Sequence, residues 1–203
     1  TIDGKTVSTP LSTKQHPALV HDFEKENKLV YLNDLNFDKD GNPIVLAVVS
    51  HHHQPGPQGD PREWIIFHWK NGQWYEHRVT ASTHNYDMGS LYIEKENWTI
   101  IGPTEPGPQA YGTGGEMAVW ESKDEGLTWK KLSMLTENSS KNHSYARRPL
   151  YAHKDFYAFW ADGKAAEFSR SELYFSNKKG DVFKLPYTME NNLEKPIALK
   201  NNR

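Results

Sequence analysis

The chain of 203 residues contains no cysteine, which removes disulfide frameworks, thiol nucleophiles and thiolate metal sites together, and leaves the compartment undecided. It also lacks an excess of charge of either sign. The formal net charge of -2 gives no electrostatic footprint for nucleic acid. Long hydrophobic runs are missing too: the longest, Ile44 to Val49, is far short of the roughly 20 residues that span a bilayer, so no membrane partner is expected. Thr1 is followed by no apolar leader, the pattern of a processed or excised start. Helical stripes are absent.

What is present is aromatic. Seven Trp, ten Tyr and eight Phe occur in short runs that alternate with polar residues, and fourteen Gly and twelve Pro fall mostly between those runs. Such a pattern predicts an all-β fold with elaborate loops. With 36% hydrophobic residues the chain has material for a core without disulfide or metal support.

One stretch sets the frame. Ser122-Lys123-Asp124-Glu125-Gly126-Leu127-Thr128-Trp129 has the form S-x-D-x-G-x-T-W, in which Asp124 accepts backbone N–H groups of a tight turn. Gly126 takes positive φ there, and Trp129 opens the next strand with a large apolar ring. Around it, strand runs are expected at Leu29 to Phe37, Pro43 to Ser50, Glu63 to Trp69 and, across the hairpin signal Asn71-Gly72, Gln73 to Thr80. A second set falls at Gly89 to Ile93, Trp98 to Pro103, Met117 to Glu121 and Thr128 to Leu135. A third falls at Arg148 to Ala152, Phe156 to Ala161, Leu173 to Ser176 and Val182 to Leu185.

Repeats near 50 residues of four short strands are the sequence form of β-propeller blades. The expected layout is a connector or partial blade at 1–27, blades at 28–81, 87–136 (with the Asp-box) and 146–187, and a C-terminal tail at 188–203. Three blades and a fragment do not close a ring of about 4–8 blades. The remaining blades are therefore expected from the rest of a longer protein, from 1–27 in part, or from another chain.

The runs Thr83-His84-Asn85-Tyr86-Asp87-Met88-Gly89-Ser90-Leu91-Tyr92, Pro103-Thr104-Glu105-Pro106-Gly107-Pro108 with Tyr111-Gly112-Thr113-Gly114-Gly115-Glu116, Arg147-Arg148-Pro149 and Phe156 to Gly163 resemble the BNR (Asp-box) repeat propellers of polysaccharide-degrading bacteria. The likeness extends over roughly Pro10 to Pro186. It implies a larger, seven-bladed propeller of which this is the C-terminal part, a secreted or periplasmic location, and an acidic polysaccharide as partner. The resemblance is to ulvan and rhamnose–glucuronate lyases, and more distantly to sialidases. In the lyases His and Tyr handle protons and Arg neutralises the uronate carboxylate.

Blade topology predicts which residues meet. With strands ordered A to D, the A–B and C–D turns, including the Asp-box, share one face, and the B–C and D–A loops share the other. The chemistry-bearing residues fall on the second: His51, His52 and His53, then His84 and Asp87, then Glu105 and Tyr111, then His143, Tyr145, Arg147 and Arg148, then Asp162 and Arg170. Proton abstraction beside a uronate carboxylate suits a neutral imidazole, which nominates His84 as base. Tyr111 or Tyr145 protonates the leaving oxygen or stacks on a sugar, and Arg148 grips the carboxylate with a planar fork. His53, Asp87, Glu105, Arg147, Asp162 and Arg170 complete the expected substrate contacts, with Trp160 as a sugar platform.

Each nomination has a plainer counterpart: a histidine bonded to loop backbone, a tyrosine packed in a loop, an arginine in a structural ion pair. His51, His53 and His143 are weak zinc candidates, since adjacent strand residues point to opposite sides and no third ligand is spaced for the metal. A structural calcium or zinc ion stays open, and no cofactor is required. The alternatives to a lyase are a glycan-binding propeller without catalysis and a sialidase-like hydrolase.

Overall fold

The structure, a computed structural model, describes residues 4–6 and 19–199. Among them are thirteen strands, two short 3-10 turns and no α-helix. Three antiparallel sheets follow one another along the chain. The first contains β1 (Leu29–Phe37), β2 (Pro43–Ser50), β3 (Arg62–Lys70) and β4 (Gln73–Ser82), each paired with its sequence neighbour. The second contains β5 (Ser90–Glu94), β6 (Asn97–Glu105), β7 (Glu116–Ser122) and β8 (Lys130–Met134) in the same order. The third has β9 (Asn142–Arg147), β10 (Ala158–Gly163), β11 (Leu173–Ser176) and β12 (Val182–Lys184), with β13 (Ile197–Ala198) added outside β12.

Strand alternation explains how the sheets stack. Ile44, Leu46 and Val48 of β2 join Trp64 and Ile66 of β3 and Leu91, Trp98 and Ile100 of the second sheet in one buried cluster. Their neighbours Ala47 and Val49 point the other way, into a cluster with Ile65, Phe67 and Phe23. The near-continuous apolar run of β2 is therefore buried on both faces. The second sheet repeats this: Ile100 faces the first sheet, while Tyr92, Ile101, Met117 and Val119 pack on Tyr157, Ala158, Trp160, Tyr174 and Val182 of the third. Close approach matters at Gly89 and Gly102, where a Cβ would lie 2.5 Å from the Trp64 ring.

The turns at one end are local constructions. In the turn of 122–129, the Asp124 carboxylate accepts from Ser122 Oγ (2.7 Å), Thr128 N (2.9 Å) and Thr128 Oγ1 (2.5 Å). Gly126 has φ of 86°, and a Cβ there would meet the Trp98 ring at 2.7 Å. Trp129 Nε1 donates to the Gly126 carbonyl, and β8 starts one residue later. In the third sheet the corresponding turn keeps Gly180 at φ 88°, and Asn177 Oδ1, accepting from Lys179 N and Asp181 N, does the work of Asp124.

Three expectations change. The first strand of the third sheet is Asn142–Arg147; 148–152 forms a turn with Tyr151 at φ 56°, since Pro149 has no N–H to give a ladder. The third unit thus begins before residue 146, and His143, Tyr145 and Arg147 lie on a strand rather than in a connection. The tail expected at 188–203 contributes β13, which pairs with β12 through Phe183 and Lys184. Of the connector expected at 1–27, residues 1–3 and 7–18 lie outside the described residues; 19–27 contain a 3-10 turn, Phe23–Glu26, whose Phe23 covers the outer face of the first sheet.

Candidate functional site

Opposite the turns, the long loops are tied to one another by side chains reaching into backbone. Asp87 is fully buried; its Oδ1 accepts from Gly114 N (2.7 Å) and its Oδ2 from His84 N (2.9 Å). Burial pushes this carboxyl up to about 7, against the pull of those hydrogen bonds. Asn142 does the same for the other side of the 106–115 loop: Oδ1 accepts from Gln109 N, and Nδ2 donates to the Gln109 carbonyl, both at 3.0 Å. Gly115 and His143 exchange backbone hydrogen bonds of 2.9 and 2.8 Å. The segments carrying His84, Tyr111 and Tyr145 are thus fastened into one patch.

His84 sits at its centre, 8% exposed. Its Nδ1 accepts the Tyr86 N–H (3.1 Å) and faces Thr113 Oγ1 at 3.3 Å. A backbone N–H can only donate, so Nδ1 carries the lone pair and the proton of the neutral ring is on Nε2. Burial, and then the nearby Arg62 charge, hold the pKa below the usual 6.5, keeping the ring neutral. Nε2 has no hydrogen-bond partner among the described residues. Toward a ligand, His84 is therefore a hydrogen-bond donor, which corrects its expected role as base.

Beside it lies a charge pair the sequence reading passed over. Arg62, completely buried, binds Asp60 Oδ1 (2.5 Å) and the carbonyls of Gln54 (3.1 Å) and Gly56 (3.0 Å). Asp60 Oδ2 in turn accepts from Tyr111 Oη at 3.4 Å. Asn85 completes the frame, its Nδ2 donating to His52 O (2.8 Å), His53 O (3.3 Å) and Tyr31 Oη (3.2 Å). Tyr86 is 46% exposed, its ring edge-on to Tyr31 with centroids 5.2 Å apart and 5.8 Å from that of His84. Arg62 opens a strand and reads locally as an ordinary surface residue. Only the return of the 51–61 loop over it creates its site.

The other nominated residues scatter. Trp160 is 1% exposed and donates from Nε1 to His143 Nδ1 (3.0 Å), so it is a core ring rather than a sugar platform. His143 Nε2 meets Ser139 Oγ at 2.9 Å, and Ser139 Oγ donates to Glu116 Oε2 at 2.8 Å. Both nitrogens of His143 are thereby committed. Asp162 is held by Lys141 (3.2 Å), Glu172 N (2.8 Å) and Tyr174 Oη (2.9 Å).

Glu105 pairs with Lys131 at 2.8 Å. Arg170 lies over Tyr187, 3.1 Å from the ring centroid. Arg148 approaches Asp34 (3.8 Å) and the Tyr92 ring, whereas Arg147 and Tyr145 are exposed together, the guanidinium 5.7 Å from the ring centroid. The arginines thus have separate partners and do not surround one group.

His52 and His53 stack with centroids 5.0 Å apart. Among the described residues no three His, Cys, Asp or Glu side chains are grouped to hold a metal ion, and His51, His53 and His143 do not meet. A cavity of about 460 Å³ lies between 24–29 and His51–His53. A larger one, about 700 Å³, runs between β8 and the third sheet beside Lys141, Lys184, Asp162 and Tyr174. Lys141 and Lys184 there are already paired with Asp162 and Glu172.

No described helix is long and apolar enough to cross a membrane. No family model and no curated protein matches the sequence. Among solved structures, an ulvan lyase of polysaccharide lyase family PL25, seen free and bound to -[GlcA(1-4)Rha3S]-, is similar at a TM-score of 0.57 and 15% identity, over 75% of this chain and 33% of that one. The Penicillium chrysogenum α-L-arabinanase complexed with arabinobiose is similar at 0.47 and 18% identity, over 75% of this chain and 46% of that one. The chain therefore spans a third of the length of the ulvan lyase whose fold it shares.

Proposed function

We propose that the three sheets are consecutive blades of a carbohydrate-active, BNR-type β-propeller, that the loop face binds uronate-containing polysaccharide, and that the polymer is cleaved by β-elimination. The observation that carries this reading is the fastening of the His84, Tyr111 and Tyr145 segments by Asp87–Gly114 and Gly115–His143. In the elimination, the C5 proton leaves the uronate, the C4–O bond breaks, a C4=C5 double bond forms and the departing oxygen takes up a proton. The C5 proton passes to one of Tyr145 and Tyr111 acting as a phenolate, and the other, as a phenol, gives its proton to the departing oxygen. His84 donates from Nε2 to the sugar, and Arg147, unlike Arg148, is exposed to meet the carboxylate.

Further blades pack on the third sheet, where Phe159, Phe175 and Phe183 alternate with the residues facing the second sheet; Phe159 and Phe175 stack with Phe156 at 5.9 and 4.8 Å, and Phe183 stacks with Phe175 at 5.0 Å. Acting on an external polymer puts such a protein in a secreted or periplasmic location.

Incubating the full-length protein with uronate polysaccharides tests this: ultraviolet absorbance of an unsaturated product is expected. Binding without product favours a second reading, a glycan-binding propeller without catalysis, which the committed Nδ1 of His84 supports by leaving that ring no free base nitrogen. Neither product nor binding sinks both.

A further inference from the structure

Within the proposed polysaccharide reading, on which it rests, a neighbouring feature takes on a role. The cavity of about 460 Å³ at the start of the first sheet is lined by Glu24, Asn27, Lys28, Leu29 and His51–His53. Its size falls in the range of small-ligand sites, about 300–1,000 Å³. It opens on the same side as His84, because Leu29 pairs with Ser50 at the end of the first sheet where the long loops emerge.

The connection to His84 is direct in the chain and in space. Asn85 follows His84, and its amide holds the carbonyls of His52 and His53. The wall between the two places is therefore tied together by side-chain-to-backbone hydrogen bonds. Asn85 Oδ1 is buried and has no hydrogen-bond partner, an acceptor left over in the shared wall. Tyr31 and Tyr86 lie on the same wall and offer ring surface beside His84.

We propose that this cavity is a second glycan subsite, holding an acidic sugar residue of the chain whose neighbour is held at His84. The lining holds three histidines and Lys28 with one carboxylate, Glu24, while Glu26 outside the lining pairs with Lys28, and these donors suit a carboxylate- or sulfate-bearing sugar. Lys28 is held at 2.7 Å by Glu26, which fixes its head beside the cavity. His52 has a supporting task, its Nδ1 accepting Gln54 N (3.2 Å), while the His51 and His53 rings are exposed.

The test is calorimetric titration of the full-length protein with uronate oligosaccharides of increasing length. In the unmodified protein affinity should rise with length until both subsites are filled. The double variant His51→Ala/His53→Ala keeps the carbonyls that Asn85 binds. It should lose about tenfold for the longer oligosaccharides, the effect of one charge-assisted contact, with little loss for the shortest. Lys28→Gln, at the surface, should lose affinity for the acidic oligosaccharides and not for their carboxyl-reduced forms.

A length dependence identical in the variants and the unmodified protein overturns the subsite alone, as does an equal loss at every length in a folded variant. If no oligosaccharide binds at any length, the polysaccharide reading falls and takes the subsite with it.

Discussion

His84 and His143 are alike in their surroundings and opposite in their use. Both are buried, and desolvation lowers both below the ordinary value. In both, Nδ1 accepts from a group that can only donate, the Tyr86 N–H for His84 and Trp160 Nε1 for His143, so both carry their proton on Nε2. They part at Nε2. In His143 it is spent on Ser139, which hands its own proton to Glu116 in a closed chain between the second and third sheets. In His84 it has no partner among the described residues. Here the uncommitted Nε2, rather than burial or the shift, separates a candidate ligand contact from a structural histidine.

The comparison can be broken most forcefully at the closed chain. Glu116→Ala removes the acceptor of Thr136 Oγ1, Ser139 Oγ and Ser139 N, leaving buried donors unpaired. About 3 kcal/mol of stability should be lost in urea unfolding, with polysaccharide binding by the remaining folded protein intact. His84→Ala should do the reverse: roughly a hundredfold loss of turnover or of polymer affinity, with a stability change of about 1 kcal/mol or less. Equal effects of the two variants on binding would end the distinction.

The pH dependence sharpens it. The Asp87 carboxyl is raised from 3.8 to about 7 on folding, so the native state binds the extra proton. Its stabilising contribution is complete below the unfolded value of about 4 and is lost as pH rises toward about 7. The histidines act oppositely. Because their native pKa values are depressed, the unfolded chain takes up protons first, and stability falls as pH drops below about 6.5. Urea midpoints of Asp87→Asn should therefore lose the decline between about pH 4 and 7 and retain the histidine-linked loss on acidification. Nitrogen NMR shifts should report Nε2–H tautomers for both rings, with added glycan moving only the His84 Nε2 signal.

The smallest effect is expected at the 122–129 turn. Asp124→Ala loosens one turn at the opposite end of the sheets and should cost about 1 kcal/mol, with no change in binding. Its hydrogen bonds, Thr128 foremost, hold its carboxyl down to about 2. That contribution is present above the unfolded value of about 4 and fades only as pH falls toward about 2.

Most of the strand framework was legible because its causes are local. Alternation marked β1 and β4, an apolar run marked β2, and Asn71-Gly72 and Ser122–Trp129 marked turns whose geometry depends on positive φ at Asn71, Gly72 and Gly126. β9 was not legible, since Asn142-His143-Ser144-Tyr145-Ala146-Arg147 has almost no apolar pattern and is ordered by the 106–115 loop that Asn142 and Gly115 clasp. Its misplacement carried Tyr145 and Arg147 into an expected loop. Trp160 was misread for a related reason: its exposure is set by the second sheet, which packs against it from a distant part of the chain.

By itself the sequence determined a succession of antiparallel strands, the turns between them and the end of the sheets at which the long loops gather, because alternation, glycine conformations and side-chain capping act within a few residues. Only the tertiary structure decided which polar groups are free. Arg62 became a buried staple because the 51–61 loop folds back over it, His143 a link in a chain because Trp160 and, through Ser139, Glu116 of the second sheet take both its nitrogens, and His84 a donor with an N–H unused among the described residues because Tyr86 N and Thr113 take Nδ1. A side chain's type fixes how many hydrogen bonds it can make; packing fixes how many are left over.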